Sequence, residues 1–161
     1  MLLLRLFSFA TCIYFVVGFM QELTFYTEVN SGGNAFRFRT KEPDLTHYSE
    51  LLRDVKSYCS IGWWLGFSST NYTSSVTFNT GVRNGVLCGN TTLSPIMSLR
   101  YSGPLDTSTP SISIYSGVTG NNVGGVERTY TGLAATYFGF VPTGAVITGM
   151  SSWTGFENYQ Y

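Results

Sequence analysis

Short apolar runs punctuated by glycine, asparagine, serine or proline recur along most of the chain, and this pattern predicts strands. Segments 23–26, 35–39, 63–67, 75–78, 111–115 and 146–148 each place β-branched or aromatic residues between turn formers. One stretch, 44–55, has a spacing that suits a loop with a short helix. The pattern changes only at the N-terminus. There Leu2, Leu3 and Leu4, one cation at Arg5 and an apolar run through Phe15, Val16, Val17 and Gly18 end at polar Gln21 and Glu22. Residues 1–20 are therefore expected to be a secretory signal peptide, with small Gly18 suited to the position before the cut. A membrane anchor is the competing reading, but no cluster of Lys and Arg follows to stop transfer.

The strand-like segments repeat. Leu23-Thr24-Phe25-Tyr26 returns as Ile112-Ser113-Ile114-Tyr115, and Trp64-Leu65-Gly66-Phe67 returns as Trp153-Thr154-Gly155-Phe156, both with an offset of 89 residues. A shift of 41 residues also carries Tyr26 onto Phe67 and Asn30 onto Asn71, so each copy is itself a tandem of two similar units. The organisation expected is a first domain over 21–101, an extended linker over 102–110 with Pro104 and Pro110, and an incomplete second copy over 111–161. An unfinished β-domain leaves strand edges unpaired and invites self-association.

Composition narrows the function. Lys plus Arg and Asp plus Glu are both 9, so no basic track exists to neutralise a nucleic acid. With Cys12 removed alongside the leader, Cys59 and Cys88 form an even pair in an oxidising compartment, where one disulfide is expected and two buried thiols are the alternative. Asn71-Tyr72-Thr73 and Asn90-Thr91-Thr92 are sequons, which makes Asn71 and Asn90 candidate glycosylation sites of a secreted chain.

The run from Leu23 to Gly33 has an aromatic on the first strand at Tyr26 and a glycine seven residues later, and Gly62-Trp63-Trp64-Leu65-Gly66-Phe67 with Asn71-Tyr72 follows as a second such signature. These residues resemble the Greek-key signatures of the βγ-crystallin family. The resemblance implies an all-β, βγ-crystallin-like Greek-key β-sandwich in two tandem domains, the second incomplete. Ser74 stands where the second signature expects glycine, and the third unit has a longer turn from Gly117 to Gly125.

The family resemblance further implies calcium, held by a six-residue acidic and hydroxyl pattern that supplies hard oxygen ligands. In Arg53-Asp54-Val55-Lys56-Ser57-Tyr58 only Asp54 and Ser57 match, and the guanidinium of Arg53 has the wrong charge. Weak or lost calcium binding is expected. No catalytic spacing accompanies the single histidine, His47, so the chain is read as non-enzymatic. Adjacent residues on a strand face opposite sides, so Trp64 is assigned to the core and Trp63 to a possible ligand platform. The function expected is that of an extracellular structural or interaction protein with a protein or glycan partner. A carbohydrate-binding or membrane-active defence protein is the alternative.

Overall fold

The computed structural model describes residues 18–81, 85–119 and 122–156, so most of the expected signal peptide lies outside the described residues. The protein is all-β, with 42% strand and 8% helix, and its sheets are antiparallel. Ten strands are present among the described residues: β1 (Glu22–Tyr26), β2 (Ala35–Phe38), β3 (Ser57–Ile61), β4 (Trp64–Phe67), β5 (Val76–Asn79), β6 (Val86–Asn90), β7 (Ser98–Tyr101), β8 (Ser111–Thr119), β9 (Asn122–Tyr130) and β10 (Gly144–Thr148). A short helix, α1 (Ser49–Arg53), falls inside the segment predicted to hold one. No described helix is long and apolar enough to cross a membrane.

Three sheets form, with strand orders β2-β1-β3-β6, β5-β4-β7 and β10-β8-β9. The first two exchange segments. Strand β6 belongs by sequence to the second unit yet pairs with β3 of the first, while Glu42 of the first unit bridges Leu99 on β7. This exchange ties the two sheets across one core, built from Leu23, Phe25, Phe38, Leu45, Leu52, Val55, Trp64, Phe78, Ile96 and Leu99. Edge-to-face ring pairs such as Phe25 with Phe78 at 5.3 Å fill its centre. The expected disulfide is present: Cys59 and Cys88 face each other across β3 and β6, and a bond joins them.

The 41-residue repeat is carried down to single hydrogen bonds. After β1 the chain folds into a tight corner with Asn30, Ser31 and Gly33 at φ of 56°, 62° and 75°; after β4, Asn71, Tyr72 and Ser74 take 56°, 59° and 64°. Left-handed backbone costs any residue with a Cβ, so two such corners need something to hold them. In the first, the Ser57 hydroxyl accepts from the Ser31 N–H at 3.0 Å and donates to the Glu28 carbonyl at 2.5 Å. In the second, Ser98 accepts from the Tyr72 N–H at 3.0 Å and donates to the Ser69 carbonyl at 2.7 Å. All three positions in each set are related by the same shift.

The third unit departs from this plan. The partner of Tyr115 on β10 is Gly144, at the place where Ser57 faces Tyr26 and Ser98 faces Phe67. Here the turn is not drawn down, and β8 and β9 continue past a register shift between Tyr115 and Gly117 as a two-stranded ribbon. The glycine position is nevertheless kept three residues later. Gly125 has φ of 67° and leaves no room for a Cβ beside the Ser116 hydroxyl, as Gly33 leaves none beside that of Thr27.

Candidate functional site

Side chains on the sheet β5-β4-β7 alternate between the core and the outside. Trp64 and Leu99 point inward, whereas Leu65, Phe67 and Arg100 belong to the outer face; all five are fully buried. The outer face is covered by the ribbon of β8 and β9, and Arg100 stands at the centre of the contact. Its Nη1 donates to the Gly125 carbonyl at 2.7 Å, and Nη2 makes a longer contact of 3.5 Å to the Val123 carbonyl. The guanidinium lies 4.7 Å from the Tyr72 ring centre, 5.0 Å from that of Tyr115 and 5.2 Å from that of Phe67. Three aromatic faces thus supply the cation with negative potential where water cannot reach it.

The carboxylate of this cluster comes from β9. Glu127 accepts from the Tyr115 hydroxyl at 2.8 Å and the Gly103 N–H at 3.0 Å, and its other oxygen accepts from Lys41 Nζ at 2.5 Å. Lys41 also donates to the Gly103 carbonyl at 3.0 Å and lies over the Tyr101 ring. Burial pushes the Lys41 and Arg100 pKa values down, and the Glu127 charge opposes that shift in both. Beside the cluster is a cavity of about 390 Å³ lined by Lys41, Asn71, Tyr72, Arg100, Val126 and Glu127, among others.

Burial pushes the Tyr72 hydroxyl from its ordinary value of 10.0 up to about 12, and burial, followed by the nearby Glu127 charge, raises that of Tyr115 further. A phenol harder to ionise in the folded state favours folding while both states are protonated. That contribution is complete below about pH 10 and is lost as pH rises through the folded value. Stability is therefore expected to fall above pH 10, and ultraviolet titration of the phenolates should show late-ionising tyrosines that Tyr72→Phe reduces by one.

The residues singled out from sequence are scattered. Asp54 caps α1, exposed, with its carboxylate 3.8 Å from Arg53, whereas Ser57 is buried and its hydroxyl serves the first corner. Among the described residues no group of three or more His, Cys, Asp or Glu is placed to hold a metal ion. His47 is exposed on the turn Thr46–Tyr48. Trp63 is half-buried, its Nε1 donating to Asn79 at 3.0 Å, and Asn79 in turn reaches Asn122 on β9 at 2.8 Å. Asn71 and Asn90 are both exposed. Asn71 lines the cavity, and the Asn90 amide pairs with Asn30, donating at 3.1 Å and accepting from its N–H at 2.7 Å.

Sequence reasoning missed Lys41, Arg100 and Glu127. The available signal was the scarcity of charge: with only 11% charged residues, an arginine inside the strand-like Ser98-Leu99-Arg100-Tyr101 is unusual. Chemically the arrangement is a joint, in which buried ions and rings fasten the third sheet to the outside of the second. Compared with family models and with curated protein sequences, the chain matches none.

Proposed function

We propose that this chain is a secreted, non-enzymatic structural or interaction protein on a βγ-crystallin-type Greek-key scaffold, with calcium binding weak or lost. The observation that carries the reading is where the functional groups are spent. The serines of the two repeated units hold folded corners, and buried Arg100 with the partly buried pair Lys41 and Glu127 holds one sheet to another. The exchange of β6 and Glu42 between the first two sheets supports the Greek-key assignment, since each unit closes its own sheet with a segment of the other. The Cys59–Cys88 bond supports an oxidising compartment. Exposed Leu133, Tyr137, Val141 and Met150 around the third sheet support the interaction role.

Calcium tests the reading directly. The pattern residue Ser57 has its hydroxyl committed to two protein partners, and Asp54 lies beside a guanidinium. Titration calorimetry at millimolar calcium is expected to give no saturable heat, and the unfolding midpoint should be the same with calcium and with chelator. A raised midpoint that Asp54→Ala abolishes would overturn the loss of calcium binding.

A further inference from the structure

Residues 19–21, which straddle the end of the expected leader, are built into the fold. Met20 bridges Asp106, the Gln21 N–H donates to the Leu105 carbonyl at 2.8 Å, and the Thr107 N–H donates to the Phe19 carbonyl at 3.0 Å. The Gln21 side chain is buried and donates to the Ser102 and Pro104 carbonyls at 2.7 and 2.8 Å. Segment 19–21 therefore clamps the linker between the first two sheets and the third. A cut after residue 20 would discard two of its three residues.

The preceding position is equally specific. In the uncut chain a Cβ on Gly18 would fall 2.3 Å from the Ser108 Cβ and 2.6 Å from Asp106 Oδ1, which sets the residue before Phe19 directly against this turn. Glycine with Val16 two residues before it also suits the small-residue rule for leader removal. The next nitrogen, that of Phe19, donates to Thr107 Oγ1 at 3.0 Å, and Asp106 Oδ1 stands beside the adjoining residue, Gly18. Bonds from the Ser108 N–H and hydroxyl at 2.9 and 2.7 Å hold that carboxylate below its ordinary pKa and fix its position.

We propose that the peptide bond between Gly18 and Phe19 is the processing site, and that the new α-ammonium of Phe19 docks in a socket formed by Thr107 Oγ1 and the Asp106 carboxylate. A leader-removing endopeptidase is the partner and water the co-reactant. The C–N bond breaks, hydroxide equivalent goes to Gly18 as a carboxylate on the departing leader, and the Phe19 nitrogen leaves as an amine that takes up protons. Gly18 is half-buried in the fold, so the cut precedes folding of this edge. On folding, the new positive charge meets a carboxylate that the Ser108 bonds hold in position, and this ties the N-terminus to the linker.

The inference rests on the reading of the chain as secreted, and the test separates the two. The full chain is expressed in a secreting cell and the intact mass and N-terminal sequence of the product are determined. Phe19 at the N-terminus is expected. A different N-terminus on an exported product overturns the site alone, whereas a retained leader on unexported chain overturns the secreted reading and the site with it. The socket is tested with chain 19–161 carrying a free or an acetylated N-terminus, each with and without Asp106→Asn. Acetylation and the substitution are each expected to lower the unfolding midpoint by about 1–4 °C, without further loss when combined. Equal midpoints for free and acetylated chains, or fully additive losses, would overturn the socket.

Discussion

Arg100→Met is expected to destabilise the protein by about 2–4 kcal/mol, with the loss concentrated where the third sheet meets the second. Two effects compete. Removing a fully buried guanidinium relieves its desolvation, and Nε has no hydrogen-bond partner among the described residues, so part of that cost is uncompensated in the native protein. Against this, methionine abandons the Gly125 carbonyl and gives up the contacts with three rings at 4.7 to 5.2 Å. An orphaned buried carbonyl alone costs about 1–3 kcal/mol, and each desolvated cation–π contact adds about 0.5–2 kcal/mol, so the losses outweigh the relief. Leu99 and Trp64 lie on the opposite face of the sheet and keep their packing. Hydrogen exchange at the amides of β8 and β9 should therefore accelerate about 30- to 700-fold, while those of β1 and β3 change little. Uniform acceleration across all three sheets would show that Arg100 supports the core rather than the joint.

The repeat made the corners legible in the sequence, while the joint was hidden. A shift of 41 residues places β2 on β5 and the corner of Asn30 on that of Asn71, because those positions carry backbone geometry and ring packing that act within one unit. Strands β3, β6 and β7 lie outside the segments whose pattern predicts strands. Ser57-Tyr58-Cys59-Ser60-Ile61 and Ser98-Leu99-Arg100-Tyr101 contain no apolar run, since Ser57, Ser98 and Arg100, on the face away from the core, serve turns and an ionic joint. The run from Gly117 to Gly125 reads locally as a turn, whereas it holds the end of β8 and the start of β9, whose pairing no local pattern reports. Trp63 faces away from Trp64 as alternation requires, but whether that side is open depends on Asn79 and the ribbon, which no local pattern reports. The Lys41–Glu127 pair spans 86 residues and has no local signature at all. Asp54 and Ser57 looked alike as oxygen ligands; burial and hydrogen bonding distinguish an exposed carboxylate from a committed hydroxyl.

Removing both corner serines, as Ser57→Ala with Ser98→Ala, is expected to cost about 2–6 kcal/mol in all, half of it from each site. Each hydroxyl serves as acceptor and donor at once, so alanine leaves one N–H and one carbonyl unpaired beneath a backbone already held at positive φ. Neither corner can relax at no cost, because the left-handed residues Ser31 and Tyr72 carry side chains that oppose that conformation once the hydrogen bond is gone. The same substitution elsewhere on β3 supplies the control. Ser60 is 2% exposed, yet its hydroxyl has no hydrogen-bond partner among the described residues. Ser60→Ala should therefore be neutral, or stabilising by up to about 1 kcal/mol, as a desolvated polar group is replaced by an apolar one. Chemical denaturation of the single and double variants decides the matter. If Ser57→Ala and Ser60→Ala behave alike, the corners are held by the packing of Phe25 and Phe67 rather than by the serines. If they differ in sign, the hydroxyl three residues earlier on the strand is what folds the hairpin down, and its replacement by Gly144 in the third unit explains why that hairpin extends instead to cover Arg100.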